Sequence, residues 1–510
     1  MNIIIYDFGT SSLKACLFDA SCETDGLRAF CSKPYPIYYG DGEKVEQHEE
    51  DWWNAACEAT KQLLQESALS PGDIGAISFC CQMGALIPVD REGKTVIPPI
   101  SLLDDRAKVE FKKYFCDGLI RAEGRNVRKV LQFLSHALYM PYTSKEPFWK
   151  YIWIRDNMPD VYNRIYKCLD VIDWLLFRCT GRFVRVMDNA QYTSFLDRKD
   201  TSSWNDYLCR KFGLKKEHLP EIVKSTSIIG GILPEAAAQL GLNSGIPIVA
   251  GASDVSCIPL GAGLYKNGQC SIYCGTSGMV ETVTDRYLLD VRNNCCSLRT
   301  AIEGMYYYSS EIALAGKCVD AYADILYPEK TFREKLEHFD RKISNAPVGC
   351  GGMIFAPWFM GIKSPRSNSD IGGMAVGLKY GFNDAYLGRA LAEGLCFQYR
   401  WIVESQQKKI RQDDIVRFVG GTSCSDAVCQ ILSDVLGRPV EVIEHPELVG
   451  CYGALTLARL ALGLSPDIAH ACSRRTIRKL YTPSDSAHAI YQDCYARFLK
   501  VYDCAEKMSR

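Results

Sequence analysis

The chain has 510 residues, 47% of them hydrophobic, which is enough for two large domains that each bury a core. Its 59 Lys and Arg residues nearly balance 60 Asp and Glu residues, so the net charge of −1 gives no electrostatic basis for binding nucleic acid or a membrane surface. The first residues, MNIIIYDFGTSS, have no basic region and do not read as a signal peptide, and no apolar run approaches the length of a membrane span.

Strand-like runs alternate with amphipathic helical stretches along the whole chain. In chain order, the sequence predicts strands at 2–8 and 13–19, a helix at 49–68, strands at 74–81 and 85–90, a helix at 161–181, a pair of strands within 271–283, a helix at 385–408, a strand at 415–421, a helix ending near Gly437, a strand at PVEVI and a closing helix at YGALTLARLALG. This alternation predicts an α/β fold. Because no long polar linker occurs, we expect the domain boundary at a tight hinge near residues 245–255.

The 24 cysteines show no C-x-x-C spacing, which argues against zinc and thioredoxin-type sites. Most lie in apolar runs such as SIYCG and LCFQY, where a thiol behaves as a small core side chain. A reducing compartment is the simplest environment for such a chain. We therefore expect a cytoplasmic protein.

The stretch IIIYDFGTSS places a carboxylate, Asp7, at the end of an apolar strand. Gly9 permits a tight turn and the close approach of a ligand. Thr10, Ser11 and Ser12 then offer hydroxyl and N–H donors suited to phosphate oxygens. A carboxylate beside phosphates repels them unless a cation lies between, so the stretch suggests Mg²⁺ with a nucleotide. An ordinary Asx turn between two strands is the alternative.

The same kind of turn recurs in the second half of the chain. YCGTSG (273–278) also lies between two strand-like segments, and FVGGTSCSD (418–426) follows a strand and precedes a helix. Backbone N–H groups at such a helix start bind anions, and Gly420 and Gly421 allow a flat ligand to lie close. Plain chain reversal is the alternative for each turn alone, but together they indicate two duplicated domains that bind the phosphates of one nucleotide.

In this order, the segments resemble those of the FGGY family of carbohydrate kinases, within the actin-like ATPase superfamily, over nearly the whole chain. The similar stretches are DFGTSSLK (7–14), VEQHEEDWW (45–53), PIVAGASDVSCIPLGAG (247–263), CGTSG (274–278), MIFAPWFMGIKSP (353–365), RFVGGTSCSDAVCQILSDVLGRPVEV (417–442) and GCYGALTLA (450–458). The resemblance implies an α/β fold of two actin-like (ribonuclease H-like) ATPase domains with a cleft between them. We expect an N-terminal FGGY domain at 1–249, with the sugar site and the first phosphate motif, and a C-terminal FGGY domain at 250–510, with the second phosphate and adenosine motifs.

The activity that the resemblance implies is transfer of the ATP γ-phosphoryl group to a sugar hydroxyl, with ATP and Mg²⁺ as cofactors. Asp254 matches the general base of the family, although an aspartate between a strand and a helix is more often an N-cap. Asp7 would hold Mg²⁺, mainly through water. The residues expected to contact ATP are Gly9, Thr10, Ser11, Ser12, Lys14, Gly275, Thr276, Gly316, Gly420, Gly421 and Ser425.

Sugar specificity is expected in the first domain, where CCQMGALIPVD and ISLLDDRA resemble two substrate segments of the family. The residues expected to contact the sugar are Gln82, Met83, Gly84, Asp104, Arg106 and Asp254. A surface salt bridge is the alternative for Asp104 and Arg106. Gly84 stands where xylulose kinases tend to have histidine, and Leu102 replaces a tryptophan. These departures leave the reaction type unchanged and bear on the identity of the sugar.

The start of the chain and the Gln-Met pair are most similar to xylulose kinases, so conversion of D-xylulose to D-xylulose 5-phosphate is the first choice. Glycerol, erythritol, gluconate, ribulose and fuculose are alternative substrates of the same class. A catalytically silent ATP-binding homologue and an actin-like filament are alternatives of other classes; retention of Asp7, Thr10, Asp254 and Thr276 argues against the silent homologue. The expected partner is a small sugar, with a homodimer as a further option, and neither a nucleic acid nor a membrane.

Overall fold

The structure is a computed structural model that describes residues 1–122, 124–326, 328–329 and 332–509. The chain divides into two compact units. Unit 1 consists of Met1–Gly261, Leu298–Glu303 and Gly450–Arg474, and unit 2 consists of Ala262–Ser297, Gly304–Val449 and Arg475–Arg510. The expected domain boundary between residues 249 and 250 remains a prediction.

Strands and helices alternate in both units. The strands are β1 Asn2–Phe8, β2 Ser12–Asp19, β3 Leu27–Pro34, β4 Tyr38–Tyr39, β5 Val45–Glu46, β6 Ile74–Cys81, β7 Ile87–Val89, β8 Arg121–Ala122, β9 Arg125–Asn126, β10 Lys167–Leu169, β11 Val184–Val186, β12 Glu221–Val223, β13 Ile228–Gly231, β14 Pro247–Val249, β15 Ala252–Ser253, β16 Cys270–Cys274, β17 Gly278–Thr284, β18 Leu289–Asp290, β19 Cys295–Arg299, β20 Tyr306–Ile312, β21 Ile354–Ala356, β22 Met374–Val376, β23 Val416–Val419, β24 Val440–Ile443 and β25 Ile477–Tyr481.

The α-helices follow the same alternation. They are α1 Glu49–Ser67, α2 Lys108–Phe111, α3 Val127–His136, α4 Pro147–Asn157, α5 Pro159–Tyr162, α6 Val171–Thr180, α7 Met187–Ala190, α8 Asp206–Phe212, α9 Pro234–Leu240, α10 Asp254–Gly261, α11 Gly316–Leu326, α12 Phe332–Ser344, α13 Asp384–Gln407, α14 Asp426–Leu436, α15 Val449–Ala461, α16 Ile468–Ser473 and α17 Asp485–Met508. Within the described parts of the chain, no helix combines the length and the hydropathy needed to span a bilayer.

The two large sheets share one topology. In unit 1 the strand order is β13-β14-β6-β1-β2-β3, with β15 also pairing with β6. The β1–β2 and β2–β3 pairs are antiparallel, whereas β1–β6 and β6–β14 are parallel. In unit 2 the order β20-β17-β16-β23-β24 repeats both the sequence and the directions of these pairings. The prediction of two similar α/β domains is therefore confirmed.

The core of unit 1 forms where α1 packs on the sheet. Trp52, Ala56, Ala59 and Leu63 are all buried, as their helical spacing predicts. Trp52 also packs edge-on against Trp174 of α6, with ring centroids 6.2 Å apart. Burial of a side chain as large as that of Leu63 stabilises the fold by about 1.5–3 kcal/mol, so this helix anchors the strands whose ends carry the candidate site.

The core of unit 2 is built around the long helix α13. Both of its flanks are buried, and Phe397 and Ile402 pack in the same core as Ile272 of β16 and Phe418 of β23. A helix that is apolar on most sides lies inside a domain. The central strands of the unit 2 sheet therefore pack against a buried helix.

The helix predicted over 161–181 begins later than expected. Residues 167–169 form β10 instead, and α6 begins after Asp170, which accepts a hydrogen bond from the N–H of Val171 at 2.8 Å. The side chain of Asp173 accepts the Asp170 N–H at 2.9 Å, which completes a capping box. This pair sets the helix start, while the predicted end at Gly181 is confirmed by its left-handed φ of 73°.

Most of the cysteines are buried, and Cys424 and Cys504 are the exposed ones. Burial raises the pKa of most of the buried thiols; that of Cys168 is about 12. Thiols in this state are poor nucleophiles. Their reading as small core side chains is confirmed.

Two glycines of unit 1 with similar left-handed φ allow a test of the strand that leads to Asp254. A Cβ on Gly251 (φ 73°) would lie 2.0 Å from the carbonyl oxygen of Phe79, whereas one on Gly241 (φ 69°) would meet open space. We expect Gly241→Ala to destabilise unit 1 by about 1 kcal/mol through φ strain alone and Gly251→Ala by at least about 3 kcal/mol. Urea unfolding of both variants checks this, and equal losses would contradict the packing described.

Candidate active site

The carboxyl ends of three neighbouring strands meet at one edge of the unit 1 sheet. Phe8 of β1 and Ser253 of β15 both pair in parallel register with Cys81 of β6. Ligands of α/β sheets characteristically bind at such an edge. The residues that directly follow the three strand ends are Gly9, Gln82 and Asp254.

The turn at residues 9–12 has its carbonyl groups occupied and some of its N–H groups open. The Tyr35 hydroxyl donates to Gly9 O, and the Tyr35 N–H donates to Ser11 O at 3.0 Å. Gln47 Nε2 donates to Thr10 O at 2.8 Å. In the described part of the chain, the N–H groups of Thr10 and Ser11 meet no acceptor. A turn that presents only donors is an anion-binding surface.

A chain of two amides joins this turn to the segment after β6. Gln82 is buried, its N–H donates to Phe8 O at 2.6 Å, and its Nε2 donates to Gln47 Oε1 at 3.2 Å. Gln47 in turn holds the carbonyl of Thr10. Sequence reasoning did not single out Gln47, although it lies in the VEQHEEDWW stretch. The two glutamines fix the predicted sugar segment relative to the predicted phosphate turn.

Asp7 lies half-buried on β1, opposite Lys14 on β2 and Cys80 on β6. Burial raises its pKa, and the charge of Lys14 opposes that shift. A Cβ on Gly450, in the first turn of α15, would lie 2.8 Å from Asp7 Oδ2. Glycine at that position therefore lets a helix N-terminus approach the carboxylate, and the helix dipole favours the ionised form.

Asp254 begins α10 at the same sheet edge, and its side chain is half-buried. Its Oδ1 accepts the N–H of Val255 at 2.8 Å. Burial, and to a smaller extent the charges of Asp7, Asp170 and Asp188, raises the pKa of Asp254 to about 7. A carboxylate with such a pKa is suited to accepting a proton near neutral pH.

Two further carboxylates, missed from the sequence, fix the backbone around this site. Asp188 Oδ2 accepts both the N–H and the hydroxyl of Ser253, at 3.0 and 2.6 Å. Asp170 accepts the N–H groups of Gly84 and Ala85 at 2.8 and 3.1 Å. Only the capping pattern Asp170-x-x-Asp173 was readable in advance; contacts across more than sixty residues leave no local signal.

Lys150 of α4 is fully buried and bonds to two backbone carbonyls. Its Nζ donates to Ser101 O at 2.6 Å and to Gly84 O at 3.2 Å. Burial lowers the pKa of Lys150 to about 7, opposed by Asp104 and Asp170. Its two acceptors belong to the two predicted sugar segments, so this lysine joins them.

The predicted contact residues Asp104 and Arg106 form a buried ion pair. Asp104 is inaccessible and accepts the Val45 N–H at 2.6 Å, and Arg106 bonds to Asp104 at 2.8 Å and to Glu46 at 2.7 Å. The guanidinium also lies over the ring of Trp153. The alternative of a surface salt bridge is therefore wrong, because the pair is buried. Contact of these residues with a sugar stays a prediction.

The turn at residues 275–277 of unit 2 repeats the pattern of the first turn. Its three carbonyls accept hydrogen bonds from Gly316, Ala315 and the Gly275 N–H, at 2.8, 3.0 and 3.1 Å. Among the described residues, the N–H groups of Thr276 and Ser277 have no acceptor. The same donor-only surface thus occurs in both units.

The remaining predicted nucleotide residues lie beside this second turn. A Cβ on Gly316, at the start of α11, or on Gly420 (φ 98°) would lie 2.6 Å from a carbonyl oxygen of the 274–275 segment. A Cβ on Gly421 would meet no atom within 4 Å, so there is room for a flat ligand beside this glycine. Ser425 caps α14 by accepting the Val428 N–H at 3.1 Å, so its contact with a nucleotide remains a prediction.

The predicted residues are thus divided between the two units. Unit 1 holds Asp7, Gly9, Thr10, Ser11, Ser12, Lys14, Gln82, Met83, Gly84, Asp104, Arg106 and Asp254, and unit 2 holds Gly275, Thr276, Gly316, Gly420, Gly421 and Ser425. Within the described residues, no group of three or more His, Cys, Asp or Glu side chains forms a metal cage. A single carboxylate such as Asp7, with water and phosphate oxygens, nevertheless fits Mg²⁺, which keeps much of its hydration shell.

Comparison with known proteins defines the class to which this fold and site belong. Residues 2–261 match the N-terminal domain of the FGGY family of carbohydrate kinases, and residues 270–462 match its C-terminal domain. The chain therefore belongs to the FGGY family and is a carbohydrate kinase.

Individual relatives are distant but extend over almost the whole chain. A xylulose kinase of Bacillus subtilis is 24% identical over 479 residues, 94% of this chain and 91% of its own. Crystal structures of a xylulose kinase and a gluconate kinase of Lactobacillus acidophilus each align with a TM-score of 0.84 and 24% identity, covering 99% of this chain and 98% of theirs. These two structures support the fold.

The buried lysine gives a pH-dependent prediction. Because the pKa of Lys150 is about 7 when folded and about 10.4 when unfolded, the unfolded chain binds more protons between these values, and stability rises with pH. We expect the wild type to gain up to about 4 kcal/mol relative to Lys150→Met between pH 7 and 10. Urea unfolding across this range checks it, with exposed Lys61→Met as the control; parallel curves for wild type and Lys150→Met would contradict the burial of a titrating amine.

Proposed function

We propose that the protein transfers the γ-phosphoryl group of ATP to a hydroxyl of a ketose, with Asp254 as the general base. The observation that carries this proposal is the state of Asp254: a half-buried carboxylate with a pKa of about 7, at the sheet edge that also carries a donor-only turn. Membership of the FGGY family supports the reaction class.

The proposed role of Asp254 is to orient the acceptor hydroxyl and to take its proton as the phosphorus–oxygen bond forms. A free hydroxyl is a poor nucleophile, and in phosphoryl transfer positioning and charge neutralisation lower most of the barrier. The N–H of Val255 holds Asp254 Oδ1, which leaves Oδ2 for the hydroxyl. Asp188 fixes the preceding residue, Ser253, and so limits movement of the base.

Sugar kinases of this family generally use ATP and Mg²⁺, and residues of this chain fit both. When bound, the nucleotide supplies the phosphoryl group and Mg²⁺ neutralises its charge. Asp7 would hold the metal, and the open N–H groups of Thr10 and Ser11, with those of Thr276 and Ser277, would bind phosphate oxygens. The other residues proposed to contact the nucleotide are Gly9, Ser12, Lys14, Gly275, Gly316, Gly420, Gly421 and Ser425.

D-xylulose, converted to D-xylulose 5-phosphate, is the first substrate proposed. The support is similarity to proteins named xylulose kinase, such as the Bacillus subtilis relative. Glycerol, erythritol, gluconate, ribulose and fuculose are the alternatives, because the same base serves any of their hydroxyls. A relative named glycerol kinase, from Thermococcus kodakarensis, is also 24% identical.

A coupled assay of ADP release over a panel of ketoses, polyols and sugar acids tests the proposed function. We expect Asp254→Asn to lower kcat by at least about 100-fold, since the hydroxyl loses its proton acceptor. Nucleotide affinity, measured by fluorescence titration, should be retained. Exposed Asp41→Asn is the matched control in the same unit. Undiminished turnover in Asp254→Asn removes the assigned base, and no ADP release with any acceptor favours a silent homologue.

The raised pKa of Asp254 predicts the pH dependence of the reaction. The base must be ionised in the free enzyme, so kcat/KM for the sugar should rise about tenfold per unit below pH 7 and level off above it. A pH–rate profile at saturating ATP and Mg²⁺ measures this. Asp41→Asn should give the same profile, and a plateau that extends unchanged down to pH 5 would show that no group with such a pKa acts as the base.

A further inference from the structure

Both backbone polar groups of Gly84 are hydrogen-bonded within the protein. The Gly84 N–H donates to Asp170 Oδ2 at 2.8 Å, and its carbonyl accepts from Lys150 at 3.2 Å. Gly84 has a φ of 81°, which favours glycine, so no side chain replaces these groups. Gly84 is itself buried, with its Cα face turned to residue 102, so it offers a ligand no polar group of its own.

Leu102 packs on that face. A Cβ built on Gly84 would lie 2.8 Å from Leu102 Cδ1, so the leucine side chain lies where a side chain at position 84 would begin. Leu102 and its neighbour Leu103 still expose 38% and 39% of their surfaces. We call Gly84, Leu102 and Leu103 the apolar wall.

The polar residues around the two leucines are already engaged by the protein. The carbonyl of Ser101 accepts a hydrogen bond from Lys150 Nζ at 2.6 Å. Asp104 and Arg106 bond to one another and to Val45 and Glu46. The carbonyl of Ser101 and the side chains of Asp104 and Arg106 are therefore already engaged within unit 1.

The apolar wall lies next to the proposed acceptor site. Asp170 binds the Gly84 N–H, and its charge is close enough to Asp254 to contribute to that residue's raised pKa. Gly84 also follows Gln82 by two residues, and Gln82 lies at the same sheet edge as Asp254. Through Asp170 and Gln82, the wall and Asp254 are thus linked at one edge of the unit 1 sheet.

We propose that the apolar wall receives a part of the acceptor that carries C–H groups and no hydroxyl, so that a deoxyketose is preferred over the ketose with a hydroxyl at the same carbon. This inference rests on the proposed function and narrows its substrate class. A hydroxyl placed against the wall loses its hydrogen bonds to water without gaining others. A methyl or methylene group there gains apolar contact instead.

Matched pairs of sugars test the preference. The pairs are 1-deoxy-D-xylulose with D-xylulose, L-fuculose with L-tagatose, and L-rhamnulose with L-fructose, each differing by one hydroxyl. We expect the deoxy member of at least one pair to show about a tenfold advantage in kcat/KM for ADP release and in Kd by calorimetry. A preference for the hydroxylated member in every pair, or equal values throughout, would overturn the inference.

Variants connect the preference to the wall. Leu102→Gln supplies a donor and an acceptor and should reduce the deoxy preference about tenfold, whereas Leu102→Met should keep it. Leu131→Gln, at an exposed leucine of α3 in the same unit, is the matched control and should change nothing. An unchanged ratio in Leu102→Gln, with binding intact, would exclude Leu102 as its source.

Binding and turnover are measured together so that the proposal of a kinase and the proposal of a deoxyketose preference can be contradicted independently. ADP release with a preference for the hydroxylated member of every pair would support the kinase proposal and overturn the proposed deoxyketose preference. A deoxy preference in Kd without ADP release would support the wall and overturn the phosphoryl transfer. If no member of any pair binds or reacts, both are overturned for ketoses.

Discussion

The constraint on which the site depends is that a backbone carbonyl group held in a tight turn must find a donor. In both glycine turns that requirement is met by residues distant in sequence, Tyr35 and Gln47 for the first turn and Ala315 and Gly316 for the second. With these carbonyls occupied, the N–H groups of Thr10, Ser11, Thr276 and Ser277 are left without an acceptor among the described residues. Each turn thereby presents backbone N–H donors of fixed direction, which form an anion-binding concavity without any cationic side chain in the turn itself.

The carboxylates near the edge of the unit 1 sheet also accept hydrogen bonds from residues distant in sequence. Asp170 accepts four hydrogen bonds and Asp188 accepts two from Ser253, and these bonds oppose the rise that burial causes in the pKa of each. Asp254 shares their low-dielectric surroundings but has a single N–H donor, from Val255. Asp254 is also the one of the three that is only half-buried, so its free carboxylate oxygen and its exposure are the reasons to propose it, and not its neighbours, as the base.

Local features of the site could be predicted from sequence, and long-range ones could not. Strand ends, glycine turns and the buried face of α1 follow from periodicity and from the conformational freedom of glycine, and the structure agrees with them. The start of α6 was predicted wrongly because an apolar, helix-like run continued through a capping box. Lys150 and Asp188 were missed because their partners lie 49 to 66 residues away. A lysine inside the apolar run FWKYIWI was the one visible sign.

The residues proposed for the chemistry and those proposed for specificity are supported differently. Asp7 and Asp254 lie on or directly after strands of the central sheet, whose positions are fixed by many backbone hydrogen bonds. Leu102 lies in a turn whose position depends on one buried ammonium, that of Lys150, and on the Asp104–Arg106 pair. Substitution in the turn can therefore alter the acceptor without moving the base. That separation gives a physical reason why the residues proposed for phosphoryl transfer and the residues at positions 84 and 102 can vary independently.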